Sequence, residues 1–146
     1  MNPNSIENET IRLTLQSAKE YGLIGKRRKR NKYRHLVFAI VRKGGSNDGP
    51  MGTISLKETD LERREALIVG PDWDDAAADT DTPVRDAVQL LCKFAFDALR
   101  VEEIVIYIRK CDTDYFALCR SCGFTSTGSI NKGEGLSFYE MRICSG

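Results

Sequence analysis

The sequence predicts an α/β (α+β) domain. One mixed sheet is expected, an antiparallel meander plus one parallel crossover, with helices on both faces. Three observations carry this. Short runs between residues 11 and 69 alternate apolar with polar residues or are compactly apolar, as strands do. One long segment, Val84–Leu99, repeats its apolar residues at helical spacing. The strand–helix–strand order between residues 66 and 108 demands a right-handed parallel crossover.

The elements follow in order. Residues 1–9 are polar and are expected to fray. Ile11, Leu13 and Leu15 alternate as a short strand, and residues 17–24 read as a short helix ending at Gly25. Leu36–Val41 is a buried strand, and Gly44–Pro50 is a turn rich in glycine, Asn and Asp. Met51–Leu56 and Ala66–Val69 are the next strands, joined by the charged turn Glu58–Arg63. Gly70-Pro71 is expected to end or splay the pairing, because proline has no N–H for the ladder, and the strand at 66–70 is expected to part from the strand at 104–108. An acidic loop over residues 72–82 precedes a helix with Thr82 as N-cap and Pro83 at its first position. Ile104–Ile108 is a β-branched strand. Asp112 or Thr113 caps a second helix that Gly123 ends. Thr125–Ile130 and Leu136–Ile143 form a closing hairpin.

Length and composition bound the function. A chain of 146 residues with 41% hydrophobic and 29% charged residues is one globular domain. It has no apolar run of membrane-spanning length and no basic-then-apolar leader, so a cytoplasmic protein is expected, or a nuclear one in a eukaryote. Five cysteines without dense, even spacing suggest free thiols in a reducing compartment. The net charge of +1 hides an asymmetry: residues 1–43 carry +8 and residues 44–146 carry −7. Lys26, Arg27, Arg28, Lys29 and Arg30 head the basic run. It reads as a solvated loop, a nucleic-acid or localisation segment, or a holder for an acidic partner or the 3′-phosphate of a cofactor.

Two stretches carry a family resemblance. DAVQLLCKFAFDALRVEEIVIYI, Asp86–Ile108, resembles the central helix and following strand of the GNAT acyl-CoA N-acyltransferases. It is most similar to their ribosomal-protein N-terminal acetyltransferase branch. DTDYFALCRSCGF, Asp112–Phe124, resembles the family's Asn-led helix ending in Gly-Phe, and MGTISLKETDLERREALIVGPDW resembles its third and fourth strands. The resemblance spans residues 36–143 and implies acetyl-CoA as co-substrate and a primary amine as acceptor. It implies that the backbone of Ile68, Val69 and Gly70 meets the pantetheine arm and the reacting carbonyl. It places Thr80 and Thr82 in the pyrophosphate loop, with Arg85 as its cation and Asp112 at the family's Asn. The chain departs from the pattern at that loop. The interval 71–86 has no glycine, and five aspartates lie within residues 72–82. The first-helix region is also short.

Acyl transfer to an amine needs a base, an oxyanion donor and a proton for the leaving thiolate. The resemblance implies Glu65 as base; Glu58 and Glu62 in the preceding turn are rivals, and all three read equally as solvated carboxylates. Tyr115 and Cys119 share a helix face and either suits the acid, although Cys119 also reads as a small buried apolar residue. Trp73 reads as a core anchor or a lid. Cys119-x-x-Cys122 with one histidine in the chain does not make a zinc set, and no metal is expected. A different class of function stays open: a catalytically silent domain of the same fold that serves as a binding or interaction module.

Overall fold

The computed structural model describes residues 5–22, 32–43, 50–73, 81–133 and 136–145. Its elements are β1 (Ser5–Glu7), β2 (Ile11–Gly22), β3 (Lys32–Arg42), β4 (Pro50–Asp60), β5 (Glu65–Trp73), α1 (Asp81–Asp97), β6 (Glu103–Arg109), α2 (Thr113–Ser121), β7 (Thr125–Asn131) and β8 (Ser137–Cys144). The strands form one eight-stranded sheet in the order β1-β2-β3-β4-β5-β6-β8-β7. Only β5 and β6 are neighbours in parallel, joined through α1; the other neighbours are antiparallel.

Register puts one set of side chains on a common face. Leu36, Leu56, Ile68, Ile106 and Met141 sit side by side across five strands. With Leu13, Phe38, Ile54 and Ile104 they form a single core, closed by Ala87, Val88, Leu91 and Ala95 of α1 and by Cys119 of α2. Phe94 meets Phe38 edge-on, with ring centroids 5.7 Å apart. Both helices therefore cover the same face. The crossovers through α1 and α2 step in the same direction across the sheet, and right-handedness puts both on one side. The fold class is the expected one; the helices, expected on both faces, lie on one among the described residues.

Three local expectations need correction, and one open between two outcomes is resolved. Residues 17–22 are strand and not helix: after an irregularity between Leu15 and Ser17, β2 runs on against β3 from Ser17↔Val37 to Gly22↔Lys32. Tertiary pairing overrides the weak local helix preference of SAKEY. Ser5–Glu7 is not frayed but pairs with β2, held by Glu7 to Arg12 and Lys43. At Gly70-Pro71 the pairing splays and does not end: β5 leaves β6 but continues along β4 to Trp73. There β4 pairs Ser55 with Val69 and Thr53 with Asp72, so Gly70 and Pro71 bulge opposite Ile54 and the missing N–H costs no regular ladder bond. Finally, α1 begins at Asp81, which puts Thr82 inside its first turn and not at the cap. As expected, Asp112 caps α2: its Oδ1 accepts the Tyr115 N–H at 3.2 Å. No helix among the described residues is long and apolar enough to cross a membrane.

Candidate functional site

The sheet parts where a cofactor needs room. β5 and β6 pair from Glu65↔Glu103 to Ile68↔Ile106 and no further. Beyond that point Val69 pairs with Ser55 of β4, while Tyr107 pairs with Glu140 of β8. The parting expected between 66–70 and 104–108 is present. Its cause is local. Gly70 has φ +98°, and a Cβ there would come within 3.2 Å of the Thr53 carbonyl oxygen, so glycine is required for the bulge that carries β5 away from β6. Tyr115 reaches from α2 and donates its hydroxyl to the Gly70 carbonyl at 2.9 Å. That bond fixes the β5 tail to α2 on the far side of the opening.

A cavity of about 230 Å³ opens beside this bond. Pro71 and Trp73 of the β5 tail, Val84 of α1, and Tyr115 and Leu118 of α2 give it apolar walls; exposed Asp112 and Asp114 lie at its edge. Trp73 is both anchor and wall, since it also packs against the core. Gly52 makes its position possible: a Cβ there would stand 2.4 Å from the Asp72 carbonyl oxygen and 2.9 Å from the Trp73 ring. The N-terminal turn of α1 borders the same cavity through Val84, and a helix N-terminus favours an anion. Arg85 on that turn is exposed. Asp86 buries one carboxylate oxygen with no hydrogen-bond partner. Thr80 and Lys26–Arg30 lie outside the described residues, and of Thr82 only the backbone is described.

The two acid candidates have different surroundings. Burial pushes the Tyr115 phenol well above its ordinary value, and Cys119 beside it adds to the effect. Cys119 is fully buried, and burial pushes its thiol up to about 12, with Cys122 contributing. A thiol at that value is no longer matched to a leaving thiolate of about 8.5. Cys92 on α1 is likewise pushed up to about 12 by burial.

Glu65 stands three residues before Ile68, about 10 Å back along the strand. Alternation places it with Leu67 and Val69 on the face that carries neither described helix, where Val69 is 45% exposed. Its carboxylate accepts the Thr59 hydroxyl at 3.0 Å and Arg142 Nη1 at 2.8 Å. The same guanidinium binds Glu103 and, at 3.2 Å, Glu140. These carboxylates raise Arg142 above its ordinary value, while the Thr127 hydroxyl and Arg142 lower Glu140. The structure thus gathers three carboxylates and one guanidinium on β5, β6 and β8. Sequence reasoning missed Glu103, Glu140 and Arg142. The two-residue spacing of 140 and 142 put those two on one face, but nothing in the sequence tied them to β5. Of the rivals, Glu58 lies on the other face: it is 5% exposed and bound by Arg34. Glu62 lies in the turn between β4 and β5. No set of metal-ligating side chains occurs among the described residues.

No family model matches this sequence, and no curated protein is a recognisable relative. Solved structures do match. Spermidine N-acetyltransferase from Vibrio cholerae, in complex with CoA and spermine, superposes with a TM-score of 0.65 at 16% identity, covering 75% of this chain and 65% of that one. A dodecameric structure of the same enzyme gives a TM-score of 0.65 with 64% of that chain covered, and a chimera of it gives 0.64 with 66% covered, both at 16% identity and 75% of this chain. The chain thus spans just under two thirds of the length of the structures it matches. Eight strands with one parallel pair, parted above a cavity, and two helices on one face are the GNAT fold, and this chain has that fold.

Proposed function

We propose that the chain is an N-acetyltransferase that moves an acetyl group from acetyl-CoA to a primary amine. The observation that carries this reading is the parting of β5 and β6 after Ile68, beside a cavity with apolar walls and a helix N-terminus. The pantetheine arm suits the walls formed by Pro71, Trp73 and Leu118, and the backbone of Ile68, Val69 and Gly70 supplies polar groups at the opening. The amine nitrogen attacks the thioester carbon, the C–S bond breaks, the amine proton leaves through water, and CoA departs as the thiol. Glu65 is the base, acting through water across the open face. Burial disfavours both acid candidates, and the Tyr115 hydroxyl is already given to the Gly70 carbonyl, so Tyr115 acts by positioning the β5 tail and the thiolate takes its proton from water. Three carboxylates around Arg142 leave that cluster net negative, which suits a cationic acceptor. A polyamine, as in the structural neighbours, is the first acceptor to test.

A second reading is favoured by the aspartates. Asp112 and Asp114 edge the cavity, and the interval 71–86 has no glycine to wrap a pyrophosphate. Each carboxylate–phosphate pair at 4 Å costs about 1 kcal/mol in water and about 4 kcal/mol at a surface-like dielectric. A silent binding module follows if that repulsion wins. Calorimetric titration with acetyl-CoA and CoA, then acetyl transfer to spermidine and to a lysine peptide, separates the two. Saturable binding with turnover supports the enzyme; absence of binding at about 1 mM, an affinity of only about −4 kcal/mol, supports the module. A nucleic-acid partner for Lys26–Arg30 is tested by salt-dependent retention on RNA or DNA, lost when Arg27, Arg28, Lys29 and Arg30 become Ala.

A further inference from the structure

A second cavity, of about 380 Å³, lies at the other end of β5, where β4 turns into β5 and α1 ends. Arg64 and Arg100 both border it. They are also the only non-glycine residues with left-handed backbone among the described residues, at φ 52° and 59°. The backbone has a use for each conformation. The Arg64 carbonyl accepts the N–H groups of Glu102 at 2.8 Å and Glu103 at 3.3 Å, tying the turn to the start of β6. Arg100 closes α1, letting the Val101 N–H reach the Ala95 carbonyl at 3.0 Å. Glycine or asparagine meets either need with less strain. The backbone thus accounts for the conformations and leaves the side chains unexplained.

The charges point to what those side chains hold. The two carboxylates lining the cavity are already matched. Glu58 accepts the Arg34 backbone N–H at 2.7 Å and both arms of its guanidinium at 3.1 and 3.0 Å. Asp60 accepts the Arg63 N–H at 3.0 Å and lies 3.9 Å from its Nε. Arg64 and Arg100 are exposed and enter no ion pair among the described residues. Exposed Glu102 and the C-terminal carbonyls of α1 oppose an anion here, so one guanidinium does not suffice and two leave a surplus. Two planar forks match the geometry and the double charge of a phosphate group better than the single charge of a carboxylate.

We propose that Arg64 and Arg100 form a site for a small phosphate-bearing anion at this end of the sheet, separate from the parted strands. The proposal does not rest on acetyl transfer. The test is thermal unfolding of the full chain in inorganic phosphate, glycerol phosphate or acetate up to about 20 mM at constant ionic strength, since a ligand of the native state raises the midpoint. A saturable rise is expected with both phosphates and not with acetate. Arg64→Asn with Arg100→Asn keeps residues that tolerate the left-handed backbone, so the variant is expected to fold and to lose the rise. Each single Asn variant is expected to weaken phosphate at least tenfold, which keeps the test decisive if the double variant does not fold. No rise in the wild type, an equal rise with acetate, or a rise that persists in the variants overturns the proposal. Persistence would place the phosphate elsewhere, such as the N-terminus of α1.

Discussion

The bond between Tyr115 and Gly70 joins stability to the site, and Tyr115→Phe tests both. The substitution removes one oxygen and leaves the ring to pack beside Leu118 and Trp73 in the same cavity wall. What is lost is a 2.9 Å hydrogen bond in a part-buried setting, and the Gly70 carbonyl is left to find water. A neutral bond of this kind contributes about 1–1.5 kcal/mol net. At about 2.1 cal/mol/K of unfolding entropy per residue, a chain of 146 residues then melts about 3–5 °C lower. Urea unfolding should show a lower midpoint with an unchanged slope, since the surface exposed on unfolding is the same. If the bond also sets the β5 tail, acetyl-CoA affinity falls in Tyr115→Phe measured by calorimetry well below the unfolding temperature. A variant as stable as the wild type refutes the bond. A variant of lowered stability with unchanged affinity retains the bond and refutes its role in shaping the opening.

Three further outcomes follow from the same structure. Arg34→Ala should cost more than Glu58→Ala in urea unfolding, about 2–4 against about 1–2 kcal/mol, because the first removes both guanidinium bonds from a carboxylate that is 5% exposed while the second frees a cation that reaches water; equal costs would contradict the asymmetry. Exposed Cys111 and Cys144 should react quickly with a thiol reagent, while buried Cys92 and Cys119 should wait for unfolding. Because the folded values of Cys92 and Cys119 are raised to about 12, their contribution is fully present below the unfolded thiol value and is lost as pH rises from about 9 toward 12. Cys92→Ala with Cys119→Ala should flatten that alkaline decline in midpoint. Gly52→Ala forces a Cβ against the Asp72 carbonyl oxygen and the Trp73 ring, and should cost about 1–3 kcal/mol and weaken acetyl-CoA binding through the β5 tail; an unaffected melt would refute the close approach.

Much of the frame was legible locally. Ala87, Val88, Leu91 and Ala95 recur on one helix face, and that face is the one buried. Asp112 and Thr113 both offered a cap, and Asp112 is the one, because its carboxylate accepts a first-turn helix N–H. The crossover followed from element order and chirality alone, and the parting of β5 and β6 from Gly70-Pro71, which carries β5 away. Both helices on one face also follow from that chirality, but only once the position of β7 at the sheet edge is known. Residues 17–22 could not be assigned from their own sequence, because their strand state is decided by Lys32–Val37 across the hairpin. Pro71 marked either an end or a splay of pairing, and the bulge opposite Ile54, where no N–H is needed, made it a splay. Sequence alone determined the periodicities, the caps and the handed order of elements, which depend on neighbours in the chain. Tertiary structure decided what depends on pairs distant in the chain. It set Arg142 among Glu65, Glu103 and Glu140, the Tyr115 hydroxyl on the Gly70 carbonyl, and Arg64 with Arg100 at one cavity. A charge or hydroxyl gains its role from the partner within about 3 Å, and register across the sheet, not spacing along the chain, chooses that partner.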